Sequence, residues 1–190
     1  MRIRSVLLAL CGVVLLLPLA GWGQSAQKID NDFVQQTFGK DFTIVSEVGG
    51  MVGDLDGDGV EDAVIAARCK NPLLDQAEHN YEVIDPYYTF FGFGDPKVTM
   101  SFVDDNQAKR GLVVLIIHGA GHDAWRSTTP RAKFVIINLP YMALSVRRMK
   151  VGKKVVQAIY CEEGNELQET SAVYFDGKKY RYEPMGSSMQ

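Results

Sequence analysis

Four aspartates crowd the nine residues Asp54-Leu-Asp56-Gly-Asp58-Gly-Val60-Glu-Asp62. They take relative positions 1, 3, 5 and 9, with Gly59 at position 6. Carboxylates packed this closely repel one another unless something positive lies among them. Ca²⁺ takes about six to eight oxygen ligands at roughly 2.3–2.6 Å, and alternating Asp side chains with a backbone carbonyl supply such oxygens. Gly57 and Gly59 permit the sharp turn that wrapping requires, because glycine adopts positive φ at little steric cost. The chemistry expected here is calcium ligation. The competing reading is an acidic, solvated turn between two strands.

An EF-hand carries a bidentate Glu at position 12 and runs on into a helix. Here position 12 is Ile65, and Ala63-Val64-Ile65-Ala66-Ala67 is an apolar run suited to a buried strand. With that flank, Asp54–Asp62 resembles the calcium loop of the FG-GAP family, found in integrin-type β-propellers and bacterial repeat proteins. The family pattern Asp-x-Asp-x-Asp-Gly-x-x-Asp followed by a strand is matched throughout, over roughly twenty residues of 190. The resemblance implies ligation by the side chains of Asp54, Asp56, Asp58 and Asp62 and by the carbonyl of Val60. Dockerin loops are similar but duplicated and lead into a helix, and no second copy occurs here.

Two other stretches invite chemistry. Val114-Leu-Ile-Ile-His118-Gly119-Ala-Gly121-His122-Asp-Ala-Trp125 looks like the strand and oxyanion loop of α/β-hydrolases. The chain has no Gly-x-Ser-x-Gly elbow, and the surroundings of Ser127, Ser145 and Ser171 do not resemble one. His118 and His122 are therefore expected to be exposed or structurally bonded, with a small hydrolase kept as the alternative. Tyr87-Tyr-Thr-Phe-Phe-Gly-Phe93 is dense in aromatic rings. It suits either a carbohydrate platform or a core-facing hairpin or lid, and the second is the commoner use.

The ends and composition narrow the class. Met1–Arg4 and the apolar run Ser5–Ala20 read as a signal peptide, too short for a comfortable span and broken by Pro18. Cleavage after Gly23 or after Ala26 is equally compatible, so residues 1–23 are assigned to the signal and 24–190 to one domain. The expected location is the periplasm or the exterior. Loss of residues 1–23 removes Arg2 and Arg4 but no acid, moving the formal charge from −3 to −5. No basic excess remains to attract nucleic acid. Cys69 and Cys161 are left as a lone pair, and an oxidising compartment favours a disulfide between them over two separate buried thiols.

The elements expected to position these residues are mainly β. Ile29, Phe33, Val34 and Phe38 repeat at helical spacing, with Asn31 or Asp32 as cap and Gly39 as stop. Strands are expected over 42–48, 62–68, 97–103, 111–117, 132–138, 142–149 and 155–160. The continuous runs Val113–Ile117 and Phe134–Ile137 suggest central strands covered on both faces. Asp176-Gly177 between alternating runs predicts a closing hairpin, and a short helix is expected near Leu73–His79. With no repeat at propeller period, the chain is expected to form a compact, mostly antiparallel β domain with one short N-terminal helix, not a complete propeller. The function expected is an exported, calcium-stabilised, non-catalytic binding or envelope-structural domain whose partner is an envelope or extracellular protein or a glycan.

Overall fold

A computed structural model describes residues 28–93, 110–164 and 168–186. The expected signal peptide and the expected strand over 97–103 lie outside the described residues. The first element is α1, Asn31–Phe38. Its cap is Asp30, whose Oδ1 accepts the Phe33 N–H at 3.0 Å, and the expected caps Asn31 and Asp32 are the first two helical residues. Gly39 ends the helix with φ 118°, and Val34 and Phe38 are its buried residues.

The first sheet comprises β1 (Thr43–Ile44), β2 (Gly50–Gly53), β3 (Asp62–Arg68), β4 (Glu82–Ile84), β5 (Leu112–His118) and β6 (Ala132–Ile136). Its order is β1-β3-β5-β6-β4, with β2 also on β3. Strands β3 and β5 pair antiparallel from Ala63↔Ile117 to Arg68↔Leu112. Both are buried on both faces over nearly their whole length, as their unbroken apolar runs require. The strand expected over 42–48 forms only as Thr43–Ile44, and β2, beyond the expected span, shares the outer edge of β3 with it. Across the gap, Val45 N–H donates to Ala66 O at 2.9 Å and Ala66 N–H to Gly49 O at 3.2 Å. The break therefore leaves no buried backbone group of Ala66 unpaired.

The second sheet is an antiparallel meander of β7 (Ala143–Val151), β8 (Lys154–Glu162), β9 (Glu169–Phe175) and β10 (Tyr180–Pro184), in the order β10-β9-β8-β7. The closing hairpin forms where Asp-Gly predicts it, but with a longer loop, because Phe175 pairs with Tyr180. Asp176 Oδ1 holds that loop by accepting the N–H groups of Lys178 and Lys179 at 2.9 and 3.0 Å.

Two cores result from side-chain alternation. Ala63, Ile65 and Ala67 of β3 meet α1 and the Trp125 loop on one face. Val64 and Ala66 face the other way and pack with Ile159, Val173, Tyr180 and Tyr182 of the second sheet. The expected Cys69–Cys161 disulfide is not formed: both are buried free thiols. Cys69 continues the helix-covered face of β3, whereas Cys161 lies between the sheets, so the first sheet separates them.

Residues 70–80 form turns and bends where a short helix was expected. The aromatic stretch instead supplies α2, Pro86–Phe90, capped by Asp85 through the Tyr88 N–H. Tyr87 and Phe90 pack edge-on against Tyr182 at 5.1 and 5.5 Å, so part of the stretch covers the sheet. Phe90, Phe91 and Phe93 keep about half or more of their surface exposed. The described residues form two sheets, mostly antiparallel, with no closed barrel or propeller. No helix among them is long and apolar enough to cross a membrane.

Candidate metal centre

Residues 54–61 are the connection of a β-hairpin whose strands pair at Gly53↔Asp62. Gly57 and Gly59 sit at φ 78° and 85°, the conformation for which glycine is suited. The aspartates fasten the turn through their own backbone. Asp54 accepts the N–H of Gly57 at 2.8 Å and of Gly59 at 3.1 Å, and Asp58 accepts the Val60 N–H at 2.8 Å. Asp56 accepts the Asp58 N–H at 3.2 Å. Bonds from a side chain to a backbone N–H a few residues ahead are the usual way Asp stabilises turns.

This geometry brings one oxygen each of Asp54, Asp56 and Asp58 within 4.8 Å of one another. Asp56 Oδ2 is the telling atom. It is buried and makes no regular hydrogen bond, and its near neighbours are cationic or can become so. Arg131 Nη2 lies at 2.9 Å and His118 Nδ1 at 3.1 Å, placed too obliquely for ordinary hydrogen bonds. Burial raises the Asp56 pKa, opposed by the Arg131 charge and reinforced by Asp58. Arg131 also pairs with Asp58. A buried carboxylate oxygen that accepts no regular hydrogen bond, beside two further carboxylates, fits a hard cation. The guanidinium of Arg131 already supplies part of the positive charge.

Asp62 behaves differently. It is fully buried, and its Oδ2 accepts Leu55 N–H at 2.7 Å while Oδ1 accepts Gly119 N–H at 2.8 Å. It thereby ties the start of β3 to the beginning of the acidic turn and to the loop after β5. Its pKa is pushed up to about 6 by burial, against the pull of those two N–H donors. Asp62 groups with Asp56 and His118, whose ligand atoms also lie within 4.8 Å of one another. Val60 is fixed in the turn through its N–H, which donates to Asp58 Oδ1.

His118 ends β5 in an aromatic box of Phe134, Phe175 and Tyr180, with ring centroids at 5.2, 5.2 and 5.8 Å. Burial pushes its pKa down to about 4, with Arg131 adding to the effect. The neutral ring then faces Asp56 through Nδ1–H, and Nε2 accepts the Tyr180 hydroxyl at 2.6 Å. Tyr180 is itself buried, and burial raises its pKa well above the ordinary value. His122 does not join this group: its side chain is fully exposed beside Asp123.

The loop after His118 is held too tightly to be a free oxyanion hole. The N–H of Gly119 is already bound to Asp62, and an added Cβ at Gly119 would meet Glu61 O at 2.4 Å. Glu61 is exposed, yet its carboxylate accepts Trp125 Nε1–H at 2.9 Å and pairs with Arg126 at 3.4 Å. Arg131, Tyr180 and the anchoring role of Glu61 are absent from the sequence-level picture. Arg131 reaches the acids because β6 pairs with β5 up to His118↔Ala132, a register that residue types alone do not announce. A cleft of about 440 Å³ adjoins the turn, between Asp54, Asp56 and Gly57 on one side and Arg148, Val155 and Phe175 on the other. No protein-family model, curated protein or solved structure matches this chain.

Proposed function

We propose that this protein is an exported, calcium-stabilised domain that binds or braces an envelope component without catalysing a reaction. The observation that carries the proposal is the convergence of Asp54, Asp56 and Asp58 on one turn, with their oxygens within 4.8 Å. The buried, hydrogen-bond-free Asp56 Oδ2 supports the same reading. Asp54, Asp56 and Asp58 would hold the ion; of the further ligands that the FG-GAP resemblance implies, Val60 could add its carbonyl, while Asp62, with both oxygens bonded to buried N–H groups, would brace the turn from within. The ion would neutralise the turn that joins β2 to β3, at the edge of the first sheet. Export is supported by the charged start and apolar run of residues 1–20.

A non-catalytic role is supported by the state of the groups that would do chemistry. His118 is neutral, buried and bonded to a buried tyrosine, and the Gly119 N–H is taken by Asp62. Extracellular modules hold calcium with Kd of about 10⁻⁴–10⁻³ M. Calcium at about a hundred times Kd adds roughly 2.7 kcal/mol to stability. Melting curves of the protein in millimolar calcium and in chelator test the reading. A higher Tm in calcium is expected, and coincident curves would overturn it. A panel of esters, phosphoesters and glycosides, run in both conditions, is expected to give no turnover.

A further inference from the structure

The helix-covered face carries a second cleft, of about 330 Å³, on the opposite side of the first sheet from the second sheet. Phe33 and Ile117 wall it with Trp125, and Arg126, Thr128 and Lys133 stand at its rim. We propose that this cleft binds a small molecule carrying one oxyanion group, carboxylate or phosphate, on a flat apolar body, because it sets Lys133 and Arg126 beside a fixed indole wall.

Lys133 is the first reason. It rises from β6 into a half-buried position, where its Nζ donates to Thr37 O at 2.9 Å and lies 5.7 Å from the Phe38 ring centroid. Among the described residues no carboxylate lies within ion-pair distance of it. An ammonium has three donors, and a carbonyl and a ring face leave it short of anionic partners. Burial lowers its pKa, as expected of a cation without a counter-charge. An oxyanion in the cleft would supply that charge.

The second reason is the rigidity of the wall. The Trp125 indole donates to Glu61 Oε1 at 2.9 Å, and its backbone N–H donates to Glu61 O at 3.0 Å. Phe33 meets it edge-on at 5.4 Å, so the ring is held by Glu61 at its N–H and by Phe33 beside it. Arg126 lies 4.2 Å over the same ring and 3.4 Å from Glu61, at the open side. A wall held in place before binding reduces the ordering cost of a ligand. The volume lies at the lower end of the roughly 300–1,000 Å³ usual for ligand sites, which suits a single ring. The exposed Thr128 hydroxyl adds a polar group near the two cations.

The chain has two tryptophans, Trp22 and Trp125, so Trp22→Phe in the full-length protein leaves the cleft residue as the only indole reporter. Its fluorescence is titrated with benzoate, phenyl phosphate, inorganic phosphate and benzyl alcohol. Saturable change is expected with benzoate or phenyl phosphate, and the tighter of the two identifies the oxyanion. Lys133→Met is expected to weaken that binding about tenfold and Lys133→Arg to keep it within about threefold, as loss of a charged hydrogen bond implies. Binding of benzyl alcohol equal to that of benzoate, or of inorganic phosphate equal to that of phenyl phosphate, would overturn the proposal. So would unchanged affinity in Lys133→Met, or no saturable response at all. If Lys133→Met does not fold, Arg126→Gln at the exposed rim decides. Affinity about threefold weaker supports the site, and unchanged affinity overturns it.

Discussion

The two ends of the acidic motif use the same side chain for different ends. At the rim, Asp54, Asp56 and Asp58 hold their own turn by accepting N–H groups two to five residues ahead, and Asp56 and Asp58 also meet the Arg131 guanidinium. In the interior, Asp62 accepts one N–H from seven residues back and another from 57 residues ahead. The rim carboxylates keep capacity for a cation, whereas the interior one is already satisfied by the fold. What differs is depth for Asp54 and Asp58, and built-in donors for Asp56, whose side chain is nearly as buried as that of Asp62 but whose Oδ2 accepts no N–H. A partly exposed Asp can exchange water for a metal ion, but a fully buried one must have its donors built in.

Asp62→Ala should break the comparison most severely. It strands the N–H groups of Leu55 and Gly119 in a buried setting, and the expected loss is about 3–5 kcal/mol by chemical denaturation without calcium. A loss no larger than that of Asp54→Ala would show that depth does not separate the two ends.

The interior has a further signature at alkaline pH. Burial pushes the thiol of Cys69 up to about 11 and that of Cys161 up to about 12, from an ordinary value of 9.0. The native chain then keeps protons that the unfolded chain releases, so stability is full below pH 9 and falls as pH rises through 11 to 12. A loss of about 2–4 kcal/mol by pH 11 is expected, and Cys161→Ala should flatten the slope while the rim substitutions leave it unchanged. Denaturant titrations at stepped pH read this directly.

At the rim the expected effects are smaller and depend on calcium. Asp58→Asn keeps an acceptor for the Val60 N–H but removes a charge. It should abolish most of a calcium stabilisation of roughly 2.7 kcal/mol while shifting calcium-free stability by less than about 1 kcal/mol. Arg131→Gln sharpens the contrast further, since its guanidinium lies across Asp56 and Asp58. It should lower stability in chelator by about 1 kcal/mol and tighten calcium binding by about tenfold, read by isothermal titration. Weaker calcium binding in that variant would mean that Arg131 supports the site and does not compete for it.

Much of the fold was legible because its signals are local. The apolar runs of β3 and β5, the alternation around Asp176-Gly177 and the helical spacing of Val34 and Phe38 each report burial within a few residues. β4 was missed, since it is three residues long and pairs parallel with β6, a partner about fifty residues away. α2 was missed because its capping Asp85 and Pro86 were overshadowed by the aromatic rings that follow.

The sequence by itself determined that four aspartates and two glycines form a tight acidic turn before a buried strand, because those requirements lie within nine residues. It also determined a mainly β chain, through period-two patterning. Tertiary structure alone decided that Arg131 faces the rim acids, that His118 is boxed against Tyr180, and that Glu61 anchors Trp125. It also decided that Cys69 and Cys161 stand apart, because β3 alternation and sheet stacking send them to different cores. Each of these contacts joins segments distant along the chain, carried by strands whose register is set by packing of whole sheets, not by any single residue type.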